Sequence, residues 1–329
     1  VLMTATAPAA VATSDTEIDE VLVTATRREV GREQVSAGLT VVGRDDVIQK
    51  KLATDALASN VGVFLQQTTP GQGAAIIRGL TGSSILHLVD GMRLNNAIFR
   101  SAPTQYLALV PVTAVERIEV LRGTPTSLYG NDAVGGAVQL VTRMPRFDTD
   151  EIETNGEIVA SLDSAELQKS LRTTIDVGNA DLAMSLSAEY LRTGNRRTGS
   201  GERLSPSGFE SKAARLALSA TPDADHTWLL DLHFVEQPET PRVDELIAGF
   251  GQSTPSASEF LFAPNRRAFA HAAYARNDGF AGLDWQADVA WQRVDDDRVS
   301  RDFDATTRRR EFNRSDLFGA TLNATRATE

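Results

Sequence analysis

From Glu153 onward, oily and polar residues alternate one by one, and no other feature of the chain restricts its possible folds more. Leu182, Met184, Leu186, Ala188 and Tyr190 alternate with Ala183, Ser185, Ser187 and Glu189. Trp228, Leu230, Leu232 and Phe234 alternate with Leu229, Asp231 and His233, and Leu283, Trp285, Ala287, Val289 and Trp291 with Asp284, Gln286, Asp288, Ala290 and Gln292. A period of two gives a strand one oily and one polar face, whereas an amphipathic helix repeats near 3.6. About eight strands are expected, at 153–162, 167–177, 182–192, 209–220, 227–236, 266–276, 282–294 and 309–322. The connections at 178–181, 221–226 and 277–281 are short, and those at 193–208, 237–265 and 295–308 are long. A soluble sandwich has no reason to segregate its loop lengths, whereas a bacterial outer-membrane barrel does so between its two ends. Trp228, Tyr190, Phe234, Trp285 and Trp291 would then be aromatics of the membrane interface.

The stretch before the strands is patterned differently. It reads A-A-I-I-R-G-L at 74–80, I-L-H-L-V-D-G-M-R-L at 85–94 and V-E-R-I-E-V-L-R-G-T-P-T-S-L-Y-G-N-D-A-V-G-G-A-V-Q-L-V-T-R at 115–143. Short runs of Ile, Val and Leu stopped by Gly are buried strands of a small sheet. Asp90-Gly91 between two such runs favours the positive φ of a tight hairpin. Arg78, Arg117, Glu119 and Arg122 lie in or beside these runs, where a charge must be paired or meet a wet wall, so the sheet is expected to face a polar cavity.

With I-R-G, a D-G hairpin, V-E-R-I-E-V-L-R-G and L-Y-G-N-D-A-V-G-G-A-V-Q-L-V-T in that order, the stretch resembles the plug domain of TonB-dependent outer-membrane receptors. It departs from that pattern at Thr124, which separates R-G from Pro125. The resemblance implies an α+β plug domain followed by an antiparallel transmembrane β-barrel, of whose 22 expected strands about eight are visible. The remaining strands are expected beyond Glu329, because open sheet edges are not tolerated in lipid. It also implies that plug arginines meet barrel carboxylates. Arg78, Gly79, Arg117, Glu119, Arg122 and Gly123 are accordingly candidates for seating the plug, with Arg78 and Arg122 as the ion-pairing residues. Substrate would touch the plug apices, for which Leu80, Thr81, Gly82, Ser83, Ser84, Asn95, Asn96, Phe99 and Arg100 are the candidates.

Residues 1–12 are small and weakly apolar, with Ala10-Val11-Ala12 suiting a signal-peptidase site, and read as the remnant of an export signal or a disordered tail. Within 13–30, Glu17 to Thr26 is acidic and then β-branched, with no nearby partner run, and reads as an extended, detachable strand. Asp19, Glu20, Val21, Leu22, Val23, Thr24 and Ala25 resemble the TonB box, which the energy-transducing partner TonB captures by strand addition. Residues 31–149 would be the plug and 150–329 the first part of the barrel. Within the plug, 39–42 is the first expected strand, Asp45-Asp46 an expected cap for a helix through Leu52, Thr54 a cap for a helix through Ser59, and 61–67 a further strand.

The chain has 329 residues, a net charge of -11 and no cysteine. That excludes a disulfide framework or thiolate metal site and argues against nucleic acid, whose phosphates require clustered cations. Arg308-Arg309-Arg310 reads as a solvated loop end or a rim facing lipopolysaccharide. No apolar run reaches the eighteen or so residues of a spanning helix. His87, His226, His233 and His271 have no metal-ligand spacing; a haem-ligand role for His87 or His233 is the minority reading. Gly71-Gln72-Gly73 lacks the further glycine and helix of a nucleotide site, and no catalytic motif stands out.

The resemblance implies TonB-dependent uptake of an iron chelate or haem by a monomer in the bacterial outer membrane, among lipid and lipopolysaccharide. No covalently bound cofactor is expected, and the chelate is the cargo. A cobalamin receptor of the same family, a passive porin and a surface adhesion receptor are the alternatives.

Overall fold

The computed structural model describes residues 21–22, 30–31, 38–94, 98, 106–124, 129, 131–279 and 282–326. The expected export-signal remnant at 1–12 lies outside them. Val21–Leu22 (β1) pairs antiparallel with Val30–Gly31 (β2), so the detachable segment does have a nearby partner, through a ladder of two residues on each side.

The plug contains Gly38–Gly43 (β3), Arg44–Ile48 (α1), Val63–Gln66 (β4), Ala74–Ile77 (β5), Ile85–Val89 (β6), Met92–Arg93 (β7), Val115–Arg122 (β8) and Gly136–Thr142 (β9). Its five-stranded sheet has the order β3-β8-β9-β6-β7, with β6 parallel to β9, and β4 pairs β5 separately. Asp90 and Gly91 have φ of 47° and 76°, the two left-handed residues that a twisted two-residue hairpin needs between β6 and β7. The core between sheet and helical turns is filled by Ile77, Ile85, Val89, Leu107, Leu109, Ile118 and Leu140, and Val235, Phe269 and Val294 of the barrel join it.

Both expected helix caps differ from what forms. Gly43 precedes α1 without any side-chain cap, and Asp45 and Asp46 sit inside the first turn, where their charge meets the positive end of the helix. Thr54 is buried inside the 3-10 turn Ala53–Leu57, and the cap is reversed: Asp55 reaches back to the Leu52 N–H at 3.2 Å.

The barrel strands are Glu153–Asp163 (β10), Gln168–Gly178 (β11), Leu182–Arg192 (β12), Glu210–Ala220 (β13), His226–Gln237 (β14), Thr240–Pro241 (β15), Ala257–Arg276 (β16), Asp284–Asp302 (β17), Arg309–Glu311 (β18) and Arg314–Thr325 (β19), with the short helix Val243–Leu246 (α2) after β15. They form one ten-stranded antiparallel sheet in which β10 pairs β11 and β19 pairs β17. Leu171, Ile175, Leu182, Leu186, Trp228, Phe234, Val289, Phe318 and Leu322 are exposed on the outer face. Ser170, Arg172, Thr174, Asp176, Ser185, Ser187, Arg215, Asp231 and Gln292 are buried on the inner face. A soluble sheet buries its oily face; this one buries its polar face against the plug and leaves the oily face bare, as a membrane wall does. Among the described residues no helix is long and apolar enough to cross a membrane.

β16 and β17 run to 20 and 19 residues, well into the stretches expected to be loops. Their outer ends lose the period of two because of a register shift between Phe262 and Asn265 and the run Asp295-Asp296-Asp297. Past the oily band neither face needs to be apolar, so a strand there no longer looks like one. Arg308 of the basic run pairs with Glu259 at 2.7 Å, and Arg309 and Arg310 enter β18.

Candidate functional site

The plug is seated in the wall mainly by polar contacts. At the end that carries the long loops, Lys51 donates to Glu166 at 2.6 Å, and Arg196 reaches the other oxygen of that carboxylate at 2.9 Å and Gln67 at 3.4 Å. Gln237 donates to the Gly71 carbonyl at 2.8 Å, and Asp244 N donates to the Thr68 carbonyl at 3.3 Å. Gly71 is required by closeness: a Cβ there would stand 2.8 Å from Thr240 and 3.1 Å from Phe209. Gly71-Gln72-Gly73 therefore belongs to the plug apex that meets β14, β15 and the start of β13. Tyr106 donates to Asp296 at 3.0 Å, and Arg298 holds the same carboxylate at 3.0 and 2.8 Å.

Midway down the wall, Arg172 donates to the carbonyls of Ile48 (2.8 Å), Lys50 (2.5 Å) and Lys51 (3.1 Å). The first belongs to the last turn of α1, whose terminal carbonyls have no partner within the helix, and the other two to the bend that follows. Glu189 accepts from the Thr113 N–H at 2.6 Å, and Gln292 donates to the Arg93 and Leu94 carbonyls at 2.8 and 3.3 Å. Towards the short-turn end, Arg44 pairs with Glu157 at 2.6 Å, Arg143 with Asp176, and Arg215 donates to the Arg143 carbonyl at 2.6 Å. The Arg143 guanidinium is held above its ordinary value, first by its hydrogen bond to Asp176.

The arginines singled out in the sequence are placed otherwise. Arg122 donates to the Thr40 hydroxyl at 2.6 Å and the Val61 carbonyl at 2.8 Å, both in the plug. Arg117 pairs at 2.8 Å with Glu119, which is 0% exposed within the same strand. Arg78 and Gly79 form the exposed Ile77–Leu80 turn at φ of 53° and 77°, and Gly123 follows β8 at φ 145°. Arg78, Arg117 and Arg122 therefore belong to turns or to the plug sheet itself, and the partners of Arg117 and Arg122 lie within the plug rather than on a barrel strand. The residues that do seat the plug, Lys51, Arg143, Arg172, Arg215 and Gln292, were missed. For Arg172, Arg215 and Gln292 a cation or amide on the polar phase of a strand was the available signal; Lys51 and Arg143 lie outside the strands and carried none.

Leu80 to Ser84 lie between β5 and β6: Leu80 is bridged to Ile77, Gly82–Ser84 is a 3-10 turn, and Ser84 accepts from Gly135 N at 2.8 Å. Asn95, Asn96, Phe99 and Arg100 lie outside the described residues, as do Asp19, Glu20, Val23, Thr24 and Ala25. His87, 1% exposed in the middle of β6, and His233, against Phe269 at 4.6 Å, are buried, which leaves neither open to an incoming ligand. His226 pairs with Asp223 at 2.7 Å, and His271 faces inward. No group of three or more His, Asp or Glu is arranged to hold a metal among the described residues.

Residues 32–137 match the family model of the TonB-dependent Receptor Plug Domain. The fold is similar to that of the copper transporter OprC, with a TM-score of 0.72 and 17% identity over 88% of this chain and 44% of that one. It is also similar to the siderophore receptor PirA from Acinetobacter baumannii (TM-score 0.60, 19% identity, 87% and 45% of the two chains). A mutant of the ferric enterobactin receptor PfeA from Pseudomonas aeruginosa gives a TM-score of 0.63 and 19% identity over 93% and 47%. A plug domain of this family set against a wall that is polar inside and oily outside is the architecture of these structures. The chain carries a TonB-dependent receptor plug domain at 32–137 and, after it, part of a barrel wall, and it spans less than half the length of each of these structures.

Proposed function

We propose that this protein imports a metal chelate, a ferric siderophore or haem ahead of cobalamin, across the bacterial outer membrane, energised by TonB acting on Asp19 to Ala25. The observation that carries the reading is the plug–wall contact. Arg172, Gln292, Gln237 and Arg215 bind plug backbone carbonyls rather than apolar side chains. Water can replace such hydrogen bonds at a net cost of about 1 kcal/mol each, so these polar contacts can be exchanged when the plug shifts, and the apolar plug–wall contact is confined to a few wall residues such as Val235, Phe269 and Val294. A passive porin has no use for a plug that can be displaced. The similar structures include a copper transporter, a siderophore receptor and a ferric enterobactin receptor, which favours a metal or metal chelate as cargo.

The two-residue ladder of β1 with β2 is short enough to be exchanged for a strand of TonB. Proline at Val21 or Val23 removes a donor and restricts φ, so Val21→Pro and Val23→Pro should abolish energy-dependent accumulation of radiolabelled chelate while surface binding survives. Undiminished accumulation in both variants would return the porin reading to first place. Growth of a receptor-deleted strain, complemented with the gene, on each chelate as sole iron source identifies the cargo; equal growth without the gene refutes the role.

A further inference from the structure

Asp90, at the tip of the β6–β7 hairpin, has both carboxylate oxygens occupied within the plug. Thr142 N donates to one at 2.8 Å and the Thr142 hydroxyl to the other at 2.7 Å. The second oxygen also lies 3.8 Å from Nδ1 of His271, on the inner face of β16, whose Nε2 stands 3.1 Å from an Asp288 oxygen. The imidazole is thus held between a carboxylate of the plug and one of the wall. At 3.8 Å the plug carboxylate is an ion-pair partner of the ring and not a hydrogen-bond acceptor, so it attracts the ring when the ring carries its second proton.

The surrounding charges make the same demand. Asp231 stands opposite His271 across the β14–β16 ladder and is gripped by Arg215 at 2.8 and 3.1 Å. Arg267 is buried with its Nε on Gln292 at 3.0 Å and its guanidinium over Phe269. His233 faces the same ring, with no carboxylate partner among the described residues. Thr321 and Gln286 supply neutral donors to Asp288 at 3.1 and 3.5 Å. Asp90, Asp231 and Asp288 therefore oppose Arg215 and Arg267, and with His233 neutral this buried set balances when His271 carries its second proton. An unbalanced buried charge is costly.

We propose that His271 is a positioning residue for the plug: the second proton on its ring, which gives it the charge that faces Asp90, sets how firmly the β6–β7 hairpin is seated on the wall. Burial pushes the Asp90 carboxyl up, and a charge on His271 opposes that rise. The other plug–wall contacts described above use arginine, lysine, amide, hydroxyl or backbone donors, which keep their protons through neutral pH, whereas histidine does not. Seating is then tight below the pKa of the ring and weakens as pH rises through it. Asp90 also donates its N–H to the Leu140 carbonyl at 3.0 Å, so loosening reaches the end of β9 and the Arg143 carbonyl that Arg215 holds. This arrangement depends on the plug-and-wall fold and not on any cargo.

The test is hydrogen exchange of the protein in detergent micelles, followed over residues 85–94 from about pH 5.5 to about pH 8 and corrected for intrinsic rates. Protection should fall about tenfold across that range, the equivalent of one pKa unit of differential interaction. His271→Gln and Asp90→Asn should each flatten the profile while peptides from β11 and β12 keep their protection. Asp288→Asn, which removes the carboxylate on the far side of the ring, should move the midpoint to lower pH, and it keeps the proposal open to refutation if His271→Gln does not fold. A flat wild-type profile, a His271→Gln profile superimposed on wild type, or an unmoved midpoint in Asp288→Asn overturns the proposal.

Discussion

Arg172, on the inner wall of the barrel, donates to the carbonyl of Ile48 at the end of the plug's first helix, 2.8 Å away. One guanidinium there satisfies three plug carbonyls while Glu189 stands 3.8 Å from it. Arg172→Met keeps much of the stem but removes every donor, leaving buried carbonyls and a carboxylate uncompensated. Plug seating should weaken by about 3 kcal/mol, read as the urea midpoint for release of a probe on α1. An unchanged midpoint would mean that water takes over the donors.

Gly71 offers a steric test at the apex. Gly71→Ala places a methyl carbon 2.8 Å from Thr240 and 3.1 Å from Phe209, so the apex must withdraw from the wall at a cost of about 1–3 kcal/mol. Gly43→Ala, with nothing within 4 Å, is the matched control. Limited proteolysis of the 67–73 loop should accelerate in the first variant and stay at the wild-type rate in the second.

Acid should loosen the long-loop end. Burial pushes the Glu166 carboxyl up, but the Lys51 ammonium and the Arg196 guanidinium more than offset it, so Glu166 titrates below its ordinary 4.5. A depressed carboxylate contributes stability that is present above that ordinary value and is lost as pH falls through the folded one. Exchange protection at 50–57 should therefore drop on acidification below about pH 4.5, and Glu166→Gln should remove that step. Persistence of the step in the variant would assign it to another carboxylate.

Asp55 can be tested as the cap that stands in for the expected Thr54. It accepts from Leu52 N at 3.2 Å and from Gln67 at 3.0 Å. Asp55→Ala should destabilise the Ala53–Leu57 turn by about 1 kcal/mol, measured by the exchange of its amides. Thr54→Ser, which keeps a small polar side chain at a position that caps nothing, should cost less than Asp55→Ala; the reverse order would restore Thr54 as the cap.

Period-two alternation and glycine punctuation are local properties, and they carried the fold. The hairpin at Asp90-Gly91, the sheet strands at 85–89 and 115–122, and the barrel strands from Glu153 to Gly178 and Leu182 to Arg192 were legible because face and turn depend on residues next to one another. The outer halves of β16 and β17 were not, since beyond the oily band solvent meets both faces and the alternation has no cause. The seat was hidden for a different reason. Arg122 sits in a motif and binds its own plug, whereas Arg172 sits in no motif and caps a helix 124 residues away in the chain. His271 meets Asp90 only because β16 and the β6–β7 hairpin are brought together at one height on the wall. The sequence by itself determined which residues turn inward; the tertiary structure alone decided which plug group each one meets, because that pairing is set by the register and rotation of the plug inside the wall, which no local pattern encodes.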